Sequence, residues 1–238
     1  NEGMRFTQGY AACQVCSPSR ASILTGKVTP RHGVTDYIGA SSGEAWRRLG
    51  RQNKLLPPEY EHGLRKNETT FVKVLQDDGY RTFFAGKWHL GDEDAYQPYN
   101  RGFSEVFIHG AGGIGQSYPG SCADFPPNRD RKTRYFAVAA LHNDTIVKTK
   151  GFCTDVFFQA ALGWIRKQQQ AKTPFFAYIS TNAPHGPMIA PQKNKKRFAD
   201  LGWGERTQGC CDSGRRRGGS CCGGRSCSCL IYTSAAAD

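Results

Sequence analysis

The sequence predicts an α/β domain with a largely parallel sheet covered by helices, and two repeated units carry that expectation. In the first, Phe71, Val74 and Leu75 recur at helical spacing and are followed by the short run Tyr80-Arg81-Thr82-Phe83-Phe84-Ala85-Gly86. In the second, Phe157, Ala160, Ala161, Trp164 and Ile165 keep helical spacing ahead of Phe175-Phe176-Ala177-Tyr178-Ile179. Helix followed by buried strand, twice, favours parallel strands with helices packed on their faces. With 238 residues and 38% apolar content, the chain is long enough to bury one good-sized core.

The first helix is expected between Asn67 and Gly79, with Asn67 as N-cap and Gly79 at the terminating position. Its strand follows at once. The second helix ends before Lys172-Thr173-Pro174, which turns the chain into the second strand. Residues 39–67 and 110–134 are rich in Gly, Pro, Ser and charge, so they read either as loops rimming a site or as surface insertions. From about Gly204 the apolar periodicity stops, and paired glycines, paired cysteines and Arg215-Arg216-Arg217 take over. The organisation expected is therefore one catalytic-type domain over 1–204. Residues 205–238 would be a low-complexity tail, disordered or produced by a shift of reading frame. No stretch is apolar for long enough to span a bilayer, and no signal segment opens the sequence.

The formal charge is +12, from 32 basic and 20 acidic residues, which suits anionic ligands without choosing among them. Nine Lys or Arg against four Asp or Glu fall within 193–238, so nearly half the excess lies in the last fifth of the chain. The ten cysteines are just as uneven. Cys13, Cys16, Cys122 and Cys153 are spread over the body, whereas Cys210, Cys211, Cys221, Cys222, Cys227 and Cys229 crowd into the tail.

Three stretches carry chemistry. Cys16-Ser17-Pro18-Ser19-Arg20-Ala21-Ser22-Ile23-Leu24-Thr25-Gly26 resembles the sulfatase signature, in which the Cys, the Pro and the Arg direct oxidation of the Cys to formylglycine. Gly79 to His89, ending Gly86-Lys87-Trp88-His89, resembles the second sulfatase signature. Ala183-Pro184-His185-Gly186-Pro187, after an apolar strand, resembles the later histidine loop of that family. The three occur in the family's order, and the resemblance runs from about Glu2 to Trp203.

The resemblance implies an alkaline-phosphatase-like fold, a mostly parallel mixed sheet with helices on both faces, here truncated. It implies sulfate-ester hydrolysis by the hydrate of formylglycine at position 16, one hydroxyl attacking sulfur and the other later expelling sulfate. Cys16, Arg20, Lys87, His89 and His185 are the implied catalytic residues, with Pro18 completing the modification signature. The problem they would solve is definite: a sulfate monoester is an anion, so its site must supply positive charge and an unusual nucleophile. Pro18 is suited to open a helix whose N-terminal dipole faces residue 16. Arg20, one turn on, would orient the hydrate. Strand alternation would place Lys87 and His89 on one side of the chain as a clamp on sulfate oxygens, with Trp88 packing on the other. His185 would stabilise the leaving oxygen.

The family also implies a divalent cation, usually calcium, held partly by the formylglycine at position 16. Its first carboxylate pair would fall before Asn1 and its second where the tail diverges, so activity of the chain as it stands is in question. Asp77-Asp78 reads as polar helix surface. The expected partners are a sulfated small molecule or carbohydrate and a formylglycine-generating or equivalent maturation enzyme, without a membrane span and without nucleic acid. By kinship the compartment is periplasmic or extracellular.

Other readings stay open. A phosphonate or phosphate monoester hydrolase would use the same formylglycine. A non-catalytic fragment would bind anions or nucleic acid through Arg215 to Arg217. Cys13 and Cys16 also fit half of a zinc or redox motif. Gly110-Ala111-Gly112-Gly113-Ile114-Gly115 resembles a glycine-rich active-site loop of some bacterial sulfatases. His32, His62, His109 and His142 match no motif and read as ordinary surface or core residues. Asn67 and Asn143 lie in glycosylation sequons, but one reads as a helix cap and the other as a turn residue.

Overall fold

The computed structural model describes residues 7–8, 10–49, 54–110, 112–114, 135–183, 185, 189–196 and 229–234. Helix α1 (Cys16–Thr25) is followed by the short helices α2 (Thr29–His32) and α3 (Gly43–Arg48), then by α4 (Phe71–Asp77) and the central strand β1 (Arg81–Lys87). Two 3-10 turns lead to β2 (Glu105–His109), and β3 (Ala139–His142) and β4 (Thr145–Lys148) form a hairpin. The long helix α5 (Cys153–Gln170), β5 (Phe175–Ser180), a short α6 (Gln192–Lys195) and β6 (Cys229–Ser234) complete the described elements.

The six strands lie in the order β4-β3-β2-β1-β5-β6. The centre is parallel, with β1 between β2 and β5. The flanks are antiparallel, β3 on β2, β4 on β3 and β6 on β5. Two layers of core follow from strand alternation. Phe83, Ala85, Phe107, Ala177 and Ile179 face Val156, Phe157, Ala161 and Trp164 of α5. Phe84, Val106, Ile108, Phe176 and Tyr178 face the opposite way, against Ala21 and Leu24 of α1 and Val72 of α4. Both sheet faces are thus covered, as the two helix-strand units predict. The spacing of Val156, Phe157, Ala161 and Trp164 gives α5 its apolar stripe, and Trp164 stacks on Phe83 with ring centroids 5.0 Å apart.

Several expectations change. The cap of α4 is Thr70, whose hydroxyl accepts from the Lys73 N–H, and not Asn67. Thr70 also donates to the Arg101 carbonyl at 2.7 Å, a second bond that Asn67, three residues upstream, has no place to make. Residues 39–67 are not wholly loop, since α3 lies within them. Most of 110–134 lies outside the described residues. Within the stretch read as a tail, Leu230-Ile231-Tyr232-Thr233 are β-formers, and β6 pairs along the whole of β5, covering an edge that would otherwise be open. The rest of 205–238 is not described. Asn143 is a turn residue as expected, at φ 54 between β3 and β4, and its side-chain oxygen accepts from the Val106 N–H at 3.0 Å.

Gly86 explains part of the second signature. It sits at φ 104, and a Cβ there would lie 2.0 Å from the Ser180 carbonyl oxygen of β5. Only glycine lets β1 and β5 approach this closely where the chain leaves the sheet.

Candidate active site

The implied residues gather at the C-terminal ends of β1, β2 and β5, the usual location for a site in a parallel sheet. Helix α1 begins at Cys16, so Pro18 stands third in the helix and not at its opening. The first turn carries no acidic side chain, and no side chain of the helix caps it. Its N–H groups therefore favour negative charge at position 16 itself. Cys16 is half-buried, while Ser17, Pro18, Ser19 and Arg20 behind it are buried.

Cys16 Sγ lies 3.2 Å from His89 Nδ1, and His89 Nε2 lies 3.0 Å from the Ile38 carbonyl oxygen. A carbonyl can only accept, so Nε2 carries the hydrogen and Nδ1 presents its lone pair to residue 16. Ile38 is itself held, because its N–H donates to Ser17 Oγ at 3.1 Å. Helix α1 thus fixes both residue 16 and the carbonyl that sets the tautomer of its neighbour. Burial, then the charge of Lys87, push the His89 pKa down from 6.5 to about 3, which keeps the ring neutral.

Strand alternation does not bring His89 here. Lys87 ends β1 and Trp88 turns to the other face, where its Nε1 donates to the Tyr96 carbonyl at 2.9 Å and its ring meets Phe84 and Phe103 edge-on. Packing is its role, as expected. His89 then adopts φ 57, a left-handed conformation uncommon for a residue other than glycine, and leaves the strand geometry altogether. The position of His89 is thus set by its own strained backbone and not by strand alternation.

Arg20 is 2% exposed, and its Nη1 donates to the Lys87 carbonyl at 2.6 Å and to Ser180 Oγ. It braces α1 against the ends of β1 and β5 and delivers a positive charge felt at His89. Lys87 is equally buried. His185 lies beyond β5 with its backbone N–H bonded to the Asn182 carbonyl at 2.9 Å, and it is exposed. Its charge, too, disfavours protonation of His89. Cys16 thus touches His89, and Lys87, Arg20 and His185 lie near enough to act on the charge of its ring.

The sequence reading passed over His109. It ends β2 in register with Lys87, is 2% exposed, and its ring lies 5.9 Å from that of Phe157. Neither ring nitrogen has a hydrogen-bond partner among the described residues. Recognising Glu105 to His109 as a strand ending at the same level as β1 was the signal needed.

Among the described residues, those near His89 do not make a calcium site. A hard dication takes six to eight oxygen ligands, and the groups that act electrostatically on His89 are Lys87, Arg20 and His185, with no carboxylate among them. Among the described residues no group of three or more His, Cys, Asp or Glu could hold a metal ion. Cys13 and Cys16 are both free thiols, and the Cys13 carbonyl accepts from Ser19 Oγ at the start of α1. Asp77 closes α4, where it pairs with Lys73 on the helix surface. No helix among the described residues is long and apolar enough to cross a membrane.

The described site is the C-terminal edge of an α/β sheet, at which a cysteine at a helix N-terminus meets a buried, neutral histidine, with Lys87, Arg20 and His185 acting on that ring. The chain belongs to the sulfatase family, whose model, described as Sulfatase, matches residues 1–207. It is 32% identical to N-acetylgalactosamine-6-sulfatase of Canis lupus familiaris over 191 residues, 79% of this chain and 34% of that protein. It is 32% identical to arylsulfatase G of Homo sapiens over 213 residues, 81% of this chain and 36% of that protein. The chain thus spans about a third of the length of these relatives. Among solved structures, that of BT4656 with its substrate D-glucosamine-2-N,6-O-disulfate superposes with a TM-score of 0.57 at 26% identity, covering 86% of this chain and 32% of that one. Ps i-CgsB in complex with k-i-k-neocarrahexaose shares the fold, with a TM-score of 0.62 at 24% identity over 84% of this chain and 42% of that one.

Proposed function

We propose that the chain carries the nucleophile half of a sulfate-ester hydrolase, with residue 16 acting after conversion to formylglycine and with a sulfated carbohydrate or aryl sulfate as substrate. The observation that supports it most is the contact between Cys16 and His89, made inside a pocket of Arg20, Lys87 and His185. The thiol stands where the aldehyde hydrate would stand. A maturation enzyme supplies the oxidant that turns the thiol-bearing carbon into the aldehyde. When present, the hydrate offers one hydroxyl to bond to sulfur as the ester S–O bond breaks, and a second whose proton loss rebuilds the aldehyde and expels sulfate.

The chain's own residues divide the remaining work. His89 Nδ1, already an acceptor, takes the proton of the second hydroxyl. Its weak basicity in this pocket is offset by contact distance and by a fixed tautomer. Lys87 and the first turn of α1 hold the sulfate oxygens. His185, exposed beyond β5, would donate to the departing alkoxide. Arg20 holds the ends of β1 and β5 so that these groups keep their spacing. No step is routed through calcium. The carbohydrate class rests on the disulfated glucosamine bound by BT4656 and on the relatives' names.

Turnover tests the reading. The chain co-expressed with a formylglycine-generating enzyme is offered an aryl sulfate and an aryl phosphonate side by side. Faster release from the sulfate supports a sulfatase. Faster release from the phosphonate moves the assignment to the related phosphonate hydrolase, and no release from either with residue 16 converted contradicts hydrolysis by this chain.

A further inference from the structure

His109 has the features of a pocket residue and not of a packing residue. It is the last residue of β2 and the register partner of Lys87, the last of β1, so both side chains leave the sheet at the same level. Alternation puts them on the same face, continuing the rows of Phe83 and Ala85 and of Phe107 that pack towards α5. The ring is buried against Phe157, yet both nitrogens lack a hydrogen-bond partner among the described residues. Packing alone would be served by a phenyl ring, whereas two buried nitrogens left unbonded are costly and mark a place where a ligand completes the bonding.

We propose that His109 is an additional sulfate-binding residue, its ring N–H donating to an oxygen of the sulfate group held beside Lys87. This rests on the sulfatase reading of the pocket. Burial, followed by the charges of Lys87, Arg20, His89 and His185, holds the His109 pKa well below 6.5, so the ring is neutral. A neutral imidazole has one N–H and one lone pair, and sulfate oxygens only accept, so the N–H end turns to the ligand. Lys87 supplies charge in a pocket already crowded with cations. A neutral donor beside it adds a hydrogen bond without adding repulsion, and orients the tetrahedral anion that a flexible ammonium alone leaves free to rotate. The neighbouring Gly110 carbonyl accepts from the His89 N–H at 3.2 Å, so the end of β2 is tied to the nucleophile's neighbour through the backbone.

The test is a titration of the full chain, isotopically labelled at histidine, with inorganic sulfate. The expected result is a saturable shift of the His109 ring N–H resonance, assigned by its loss in His109→Phe. Sulfate affinity should fall about tenfold in His109→Phe, the effect of losing one hydrogen bond to a charged group, while thermal stability stays equal or rises. His109→Gln, which keeps an N–H donor, should recover affinity to within a few-fold. Sulfate bound equally by the wild type and His109→Phe, with a silent His109 ring, overturns this inference and leaves the pocket reading intact. No sulfate binding by the wild type overturns the pocket reading and the inference together. If His109→Phe fails to fold, the resonance is assigned by its loss in His109→Gln, and the ring shift of the wild type decides.

Discussion

Cys16 Sγ and His89 Nδ1 lie 3.2 Å apart although 73 residues separate them in the chain. The ring is turned by a single carbonyl, that of Ile38, so that its lone pair and not its N–H faces residue 16. Replacing His89 by Ala removes the acceptor without opening the sheet, because residue 89 lies beyond β1. Turnover of an aryl sulfate by the converted chain should fall about 10²- to 10⁴-fold, with the far-ultraviolet circular dichroism unchanged. Activity within a few-fold of wild type would remove His89 from the reaction.

Gly86→Ala tests the close approach of β1 and β5. The added methyl would sit 2.0 Å from the Ser180 oxygen in a backbone conformation of φ 104. A loss of about 3 kcal/mol or more in unfolding free energy is expected, because both overpacking and a special φ are involved. Urea denaturation measures it. A loss below about 1 kcal/mol would mean that the strands separate easily there.

The buried histidines make stability depend on pH in a definite direction. His89 and His109 are held neutral in the folded chain, with the His89 pKa at about 3, while an unfolded histidine titrates near 6.5. Below 6.5 the unfolded state therefore binds more protons than the folded one, and each proton difference is worth up to about 1.4 kcal/mol per pH unit. Stability should be full above about pH 6.5 and fall as pH drops from there towards about 3. Thermal melts at pH 7.5, 6 and 5 should show this slope, and His109→Phe should make it shallower without abolishing it, since His89 and His32 are held low as well. A flat wild-type profile contradicts the burial of these rings.

Burial pushes the Cys153 thiol up to about 12, and the side chain, on the first residue of α5, is 1% exposed against the sheet core. Cys16 and Cys13 are only half-buried. Alkylation at pH 8 should therefore label Cys16 and Cys13 well before Cys153, since the thiolate is the reactive form. Labelling of all three at similar rates in the folded chain would mean that α5 does not cover the sheet as described.

The parts of the fold most open to sequence reading were those with strong periodicity. The stripe of α5 and the runs of β1 and β5 are long or apolar enough that local pattern and tertiary burial agree. Strands β2, β3 and β4 were not predicted, because Glu105-Val106-Phe107-Ile108-His109 is short and the hairpin Ala139–His142 with Thr145–Lys148 is partly exposed. The five implied site residues were found by motif and not by physics, and the structure supplies the physics: a tautomer fixed by Ile38, a left-handed His89, an arginine that braces strand ends. His109 was missed since its meaning comes from register with Lys87, a relation between strands that no single stretch of sequence contains. Thr70 displaced Asn67 as a cap because both residues suit the position and only the tertiary bond to Arg101 distinguishes them.

The most direct test of the account is the mass of the peptide that carries residue 16, taken from the chain co-expressed with a formylglycine-generating enzyme. The account predicts loss of the thiol and appearance of an aldehyde that reacts with a hydrazide, abolished in Cys16→Ala and reduced in Arg20→Ala. An unmodified thiol at Cys16, with a control substrate of the same enzyme fully converted, would contradict it.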